Sequence, residues 1–136
     1  MESGLSGRAM EWRVLIVAGF GFRGAVTEAS FADALRKTAA ENRIDRLATA
    51  QDKVRAAALE AFAKHLSVPV VGIAATELEM QQTLTQSAFS MAARNTGSVA
   101  EAAALAAAGS GAKLIVARVI SADGLVTCAL AEGEGP

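Results

Sequence analysis

Cysteine and histidine occur once each in these 136 residues, and their scarcity excludes much before any motif is read. Cys128 alone permits no intrachain disulfide and no cysteine-rich metal cage. His65 alone leaves no histidine–carboxylate cluster to hold a metal, and no Ser/His/Asp set for nucleophilic catalysis. Neither a metal nor another cofactor is expected. The formal net charge is −1, which offers no basic footprint for nucleic acid. Long apolar runs are missing too. None approaches the roughly 20 residues needed to cross a bilayer, and the opening MESGLSGRAMEW has no apolar segment of signal-peptide length. A soluble cytoplasmic protein is the expectation, with neither nucleic acid nor membrane among its partners. Aromatics are few, whereas there are 12 glycines and a heavy load of alanine, so helices can approach a sheet closely.

What the chain does have is arranged around residues 12 to 31, WRVLIVAGFGFRGAVTEASF. The apolar run Val14 to Ala18 reads as a strand from about Arg13, buried on both faces. Gly19, Gly21 and Gly24 follow with Arg23 among them, and a helical pattern starts near Thr27. A strand that runs through glycines into a helix leaves bare N–H groups at a helix N-terminus, which attracts anions.

The helix that follows should bury Phe31, Ala34, Leu35 and Thr38, carry Arg36 and Lys37 in its later turns, and stop at Asn42. Asp45 to Thr49 reads as a short second strand. A second helix from about Asp52 has an apolar stripe of Val54, Ala58, Ala61, Phe62 and Leu66, and ends at Ser67-Val68-Pro69. Val70 to Ala74 is a third strand. Thr76 and Glu79 have capping-box spacing and open a short helix, and residues 85 to 97 read as a loop with a helical turn. Ser98 and Glu101 form a second capping box, opening an alanine-rich helix to Ala108 that Gly109-Ser110-Gly111 stops. Leu114 to Ile120 and Leu125 to Leu130 are strands joined by a turn at Asp123-Gly124. Residues 1 to 11 are expected to be a frayed leader, 12 to 132 a single domain and 133 to 136 a tail. The order β-α-β-α-β-α-α-β-β implies an α/β fold. It is a three-layer α/β/α sandwich whose mixed, mainly parallel five-stranded sheet ends in an antiparallel hairpin.

Ligands of open α/β sheets gather beyond the carboxyl ends of the parallel strands. That rim would hold Arg23, Thr49, Gln51, Lys53, Thr96 and Ser98. Lys53, in the first turn of its helix, would oppose the macrodipole, a placement that a bound anion eases. A lysine stretched into water explains it equally well. The glycines fit Gly-x-Gly-x-x-Gly, but a dinucleotide needs an acid at the far end of strand two, and Asp45 sits at its start. Their other reading is a tight turn and close helix packing. His65 is expected at the surface and Cys128 in the core.

With those residues in place, the sequence resembles the family of the CobE protein of cobalamin biosynthesis and the C-terminal domain of CbiG, the cobalt-precorrin-5A hydrolase. The resemblance spans about residues 13 to 131 and rests on VAGFGFRG (17 to 24), LATAQDK (47 to 53), VPVVGIAATELE (68 to 79), TGSVAEAAAL (96 to 105) and the closing hairpin. Phe22 stands where the family commonly has cysteine, Ala56 where it often has an acid, and Ala117-Arg118 where Pro-Lys is usual. The resemblance implies a carboxylate-edged corrinoid or precorrin as ligand, and other enzymes of the corrin pathway as further partners. Its candidate ligand-binding residues are Gly21, Arg23, Gly24, Thr49, Lys53, Thr96, Gly97, Ser98 and Glu101. A module that binds or hands on such an intermediate is one reading. A hydrolase that opens a precorrin ring-A lactone and releases acetaldehyde is the second, and a nucleotide-binding module a distant third.

Overall fold

The protein is described by a computed structural model over residues 14–39, 42–83, 86, 91 and 98–135. The leader expected at 1–11, Trp12 and Arg13, and most of the loop at 85–97, including Thr96 and Gly97, lie outside the described residues. In chain order the elements are β1 (Leu15–Phe22), α1 (Glu28–Ala39), β2 (Arg46–Ala50), a 3-10 turn (Gln51–Lys53) and α2 (Ala57–Leu66). Then follow β3 (Val70–Ile73), α3 (Ala75–Glu79), α4 (Val99–Ala108), β4 (Lys113–Ile120) and β5 (Val126–Gly133).

The strands form one five-stranded sheet in the order β3-β2-β1-β5-β4. β1, β2 and β3 pair in parallel, while β5 runs antiparallel to both β1 and β4. β4 therefore points the same way as β1, and its carboxyl end shares their rim. The turn at Gly124 adopts φ 76°, which glycine accepts without strain. β5 runs to Gly133, past the expected domain end at 132, and the Gly135 amide donates to Ala108 O at 2.8 Å.

The sheet's two faces are built from different materials. On one, Phe20, Leu47, Cys128 and Leu130 pack against Phe31, Ala34 and Leu35 of α1 and Leu59, Phe62 and Ala63 of α2. Phe20 meets Phe31 edge-on at 5.3 Å between centroids, and Phe31 stacks on Phe62 at 5.9 Å. The expected buried face of α1 is the observed one, since Phe31, Ala34, Leu35 and Thr38 are all buried. The stripe of α2 is shifted. Its centre is Leu59, Phe62 and Ala63, Val54 lies before the α-helix, which starts at Ala57 instead of Asp52, and Leu66 is exposed. Ser67 ends α2 in the left-handed conformation, its amide donating to Ala63 O and Lys64 O.

The other face carries α4 on small residues. A Cβ added at Gly19 would lie 2.1 Å from the Ala100 carbonyl oxygen, and one at Gly133 would lie 2.4 Å from that of Ala108. Both distances are impossible contacts, so glycine is required for α4 to lie this close. Ala102, Ala103, Ala104, Ala107 and Ala108 bury themselves in that seam.

These contacts correct the reading of residues 15 to 24. Gly19 and Gly21 are not a loop: they lie inside β1, which runs on to Phe22. Only Gly24, at φ 72°, makes the turn. Asp45 accepts the Ile16 amide at 2.8 Å, at the amino end of β1. Neither half of the dinucleotide fingerprint, the glycine turn for the pyrophosphate or the acid for the ribose, is therefore in the place a dinucleotide needs.

Candidate functional site: the carboxyl rim of the sheet

Four segments meet beyond the carboxyl ends of β1, β2, β3 and β4: the turn at Arg23–Gly24, the 3-10 turn, the start of α4, and the β4–β5 hairpin tip. Each is held there by a local cause. Arg23 donates its amide to Leu125 O at 3.3 Å, which fixes the exit of β1 against the hairpin. Gln51 sits over Gly72 of β3, where a Cβ would come within 2.5 Å of its Oε1, so the 3-10 turn folds down onto the edge strand. The close seat of α4 on Gly19 brings Val99 and Ala100 beside Gly21.

Lys53 ends the 3-10 turn, so the macrodipole argument made from its sequence position does not hold. What holds it is different. Its Nζ donates to the Phe22 carbonyl at 3.3 Å and lies 5.2 Å from the centroid of the Phe22 ring. The lysine is thereby brought to the residue immediately before Arg23, and both cations stand at the end of β1. The Phe22 side chain also packs edge-on to Phe31 at 5.0 Å.

The start of α1 is not the open anion site expected from the glycines. Thr27 and Ser30 cap it reciprocally: Ser30 N donates to Thr27 Oγ1 and Thr27 N to Ser30 Oγ, both at 3.3 Å. Ser30 Oγ then donates to Asp123 of the hairpin tip at 2.5 Å. Asp123 also accepts from Ser121 Oγ at 2.6 Å and Leu125 N at 3.0 Å, and these bonds, Ser121's foremost, hold its carboxyl down to about 2. Asp33 accepts the Ala122 amide and pairs with Lys37 and Arg36, and its carboxyl is likewise lowered, chiefly by that amide. A cap and a carboxylate thus already occupy this helix end.

Other candidates are closed to solvent. Thr49 is 1% exposed and donates its hydroxyl to Phe20 O at 2.8 Å, tying β2 to β1. Ser98 is buried and is the N-cap of α4, accepting Glu101 N at 3.3 Å. Glu101, buried as well, accepts the Arg118 amide of β4 at 2.9 Å. The capping box read at Thr76 is absent. α3 starts two residues earlier, after Ala74, with no side-chain cap.

The structure therefore brings Gly21, Arg23, Gly24, Lys53, Ser98 and Glu101 to one end of the sheet. Of these, Arg23 and Gly24 are exposed and Lys53 is half-buried. Reading by sequence gave no role to Ser30 or Asp33, whose partners lie on other elements. Local spacing carries no signal for such pairs.

Elsewhere, His65 is exposed and pairs with Glu28 at the start of α1, Nδ1 to Oε2 at 2.5 Å. Cys128 is fully buried, and desolvation pushes its thiol up to about 12, which makes it inert. An open cleft of about 390 Å³ lies between α1 and α2, lined mainly by carbon from residues such as Leu35, Ile44, Phe62 and Val68. Among the described residues there is no group of three His, Cys, Asp or Glu able to hold a metal ion. No helix among them is long and apolar enough to cross a membrane.

Comparison with known proteins places the chain. Residues 16–131 match the family model described as cobalamin synthesis G C-terminus. Among solved structures it is similar to CobE, a protein from the cobalamin (vitamin B12) biosynthetic pathway, at 30% identity. That match covers 88% of this chain and 90% of that one, with a TM-score of 0.78. It is also similar to the cobalamin biosynthesis protein chiG from Agrobacterium tumefaciens, at 36% identity over 86% of this chain and 97% of that one, TM-score 0.64. A longer Sulfolobus solfataricus protein, proposed as a cobalamin biosynthesis protein G homolog, shares the fold. It is 22% identical over 88% of this chain and 37% of its own, with a TM-score of 0.65. A search of curated proteins found no match.

Proposed function

The chain belongs to the cobalamin synthesis G C-terminus family, and from that premise we propose that it binds a carboxylate-rich corrinoid intermediate at the carboxyl rim of its sheet. The observation that carries this reading is the pair of cations at the end of β1. Lys53 is anchored there by the Phe22 carbonyl and ring, and Arg23 follows in the next position. An ammonium with one donor bound to a carbonyl keeps two donors for a ligand. Carboxylates along the edge of a macrocycle are what two such cations would receive, through charge-assisted hydrogen bonds. The partner is a corrinoid or precorrin, and the enzymes that produce and consume it are the proteins it would meet.

Holding the intermediate is favoured over hydrolysing it. Lactone opening calls for a group that takes a proton from water. Two acids at the hairpin end, Asp123 and Asp33, are lowered below the ordinary carboxylate value and bonded to hydroxyls, amides and cations. A carboxylate stabilised in that way is a weak base.

The test is titration of the purified protein with dicyanocobyrinic acid, followed by its visible absorbance, at low and high salt. Saturable binding that weakens as salt rises is expected. Absence of binding at both would overturn the proposal. Release of acetaldehyde from a lactone-bearing precorrin would move the assignment to the hydrolase.

A further inference from the structure

We propose that the open cleft between α1 and α2 is the seat of this chain's own Trp12. The cleft has about 390 Å³ of space and lies towards the amino end of the sheet, away from the carboxyl rim. Its walls come from the later turns of α1 (Leu35, Ala39), the end of α2 (Phe62, Leu66) and the residues that lead into β2 and β3 (Ile44, Val68). Leu66 is 38% exposed there, so part of an apolar wall faces water.

Three observations select Trp12 as the occupant. The chain enters β1 beside the cleft. The Arg43 guanidinium donates to the Val14 carbonyl at 2.7 Å, and the Asp45 amide to that of Ile16 at 2.8 Å. Arg43 and Asp45 flank Ile44 of the cleft wall, and Trp12 is two positions before Val14, within about 7 Å of extended chain. Direction follows from the alternation of β1. Ala18 and Phe20 belong to the core shared with α1 and α2, and Val17 to the one beneath α4. Even-numbered positions therefore face the helices that frame the cleft, and the same alternation carried back assigns Trp12 to that side. The chemistry agrees. An indole brings a large apolar body, suited to a cleft lined mainly by carbon, and one N–H that needs an acceptor when buried. Asn42 offers that acceptor: it lines the cleft, and its Nδ2 donates to Ala39 O at 3.1 Å, which leaves the side-chain oxygen for the indole. Trp12 seated there covers Leu66, braces α1 against α2 and fills the space that a small molecule would need on this face.

Trp12 is the only tryptophan in the chain, which has no tyrosine, so intrinsic fluorescence reports on this residue alone. The experiment compares emission and acrylamide quenching for wild type, Leu66→Arg, Leu66→Ser and Ile115→Arg. Ile115 is as exposed as Leu66 but lies on the edge strand β4, outside the cleft. Wild type is expected to emit to the blue of its urea-unfolded form and to be shielded from acrylamide. Leu66→Arg should shift emission to the red and raise quenching with far-UV circular dichroism unchanged, and Ile115→Arg should match wild type. Leu66→Ser, the milder change, gives the same comparison if Leu66→Arg unfolds. Native emission equal to that of the unfolded chain would overturn the proposal. So would Leu66 variants that fold and keep wild-type emission, because Trp12 would then be buried elsewhere. A blue shift that grows with protein concentration would assign the cleft to a second copy and overturn docking within one chain.

Discussion

Phe22 shows how a single residue sets the character of the rim. It offers a ring to Phe31 on one side and to the Lys53 ammonium on the other. Asp123 acts at the same scale. Three hydrogen-bond donors hold its carboxyl at about 2 against an ordinary 3.8, so folding favours its ionised form. A folded value below the unfolded one stabilises the protein above the unfolded value, and the benefit is lost as pH falls through the folded one. Between pH of about 4 and 2 the hairpin tip should therefore loosen from α1. An acid titration of thermal stability should show a decline in that window, and Asp123→Asn should flatten it. An equally steep decline in the variant would assign the acid sensitivity to other groups. Cys128 leads to a simpler expectation. With its thiol raised to about 12 by burial, it should resist alkylation by iodoacetamide at pH 8 until the protein unfolds. Rapid labelling of the native protein would mean the core opens there.

Among the elements, α4 is where chemistry and architecture depend most on each other. Gly19→Ala would thrust a methyl group into the Ala100 carbonyl, so the helix would have to lift from β1. The expected cost is about 1–3 kcal/mol or more, read from the shift in a urea midpoint. An unchanged midpoint would mean that α4 does not sit on β1 as described. Ser98→Ala removes the cap of the same helix and is expected to cost about 1 kcal/mol. Much of this level was legible beforehand. The periodicity of α1, the Ser98 cap, the Asp123-Gly124 hairpin and the order of helices and strands along the chain all follow from local spacing, which is what sequence records. The ends of β1 and α2 do not. Glycine after an apolar run reads as a turn, and only the approach of α4, some eighty residues later in sequence, explains why β1 continues through Gly19 and Gly21. Likewise the start of α2 depends on Gln51 folding onto Gly72 of a strand not yet formed in the reading frame of local pattern.

At the scale of the whole molecule, the two faces of the sheet divide the work. Phenylalanines fix α1 and α2 on one side, and glycine with alanine lets α4 approach on the other. Insertion of β5 between β1 and β4 keeps β4 parallel to the first three strands, so four strand ends open on the same rim. Sequence position alone put Arg23 and Lys53 on that rim. It gave the wrong reason for Lys53, because the dipole argument needs a helix start that the 3-10 turn replaces. The central claim is that the rim cations bind a polycarboxylate macrocycle, and titration of four proteins with dicyanocobyrinic acid tests it most directly: wild type, Arg23→Ala, Lys53→Ala and His65→Ala. Arg23→Ala and Lys53→Ala are each expected to raise the dissociation constant about ten- to a hundredfold, and His65→Ala to leave it unchanged. Loss of binding in His65→Ala, with both rim variants binding as wild type, would contradict the account.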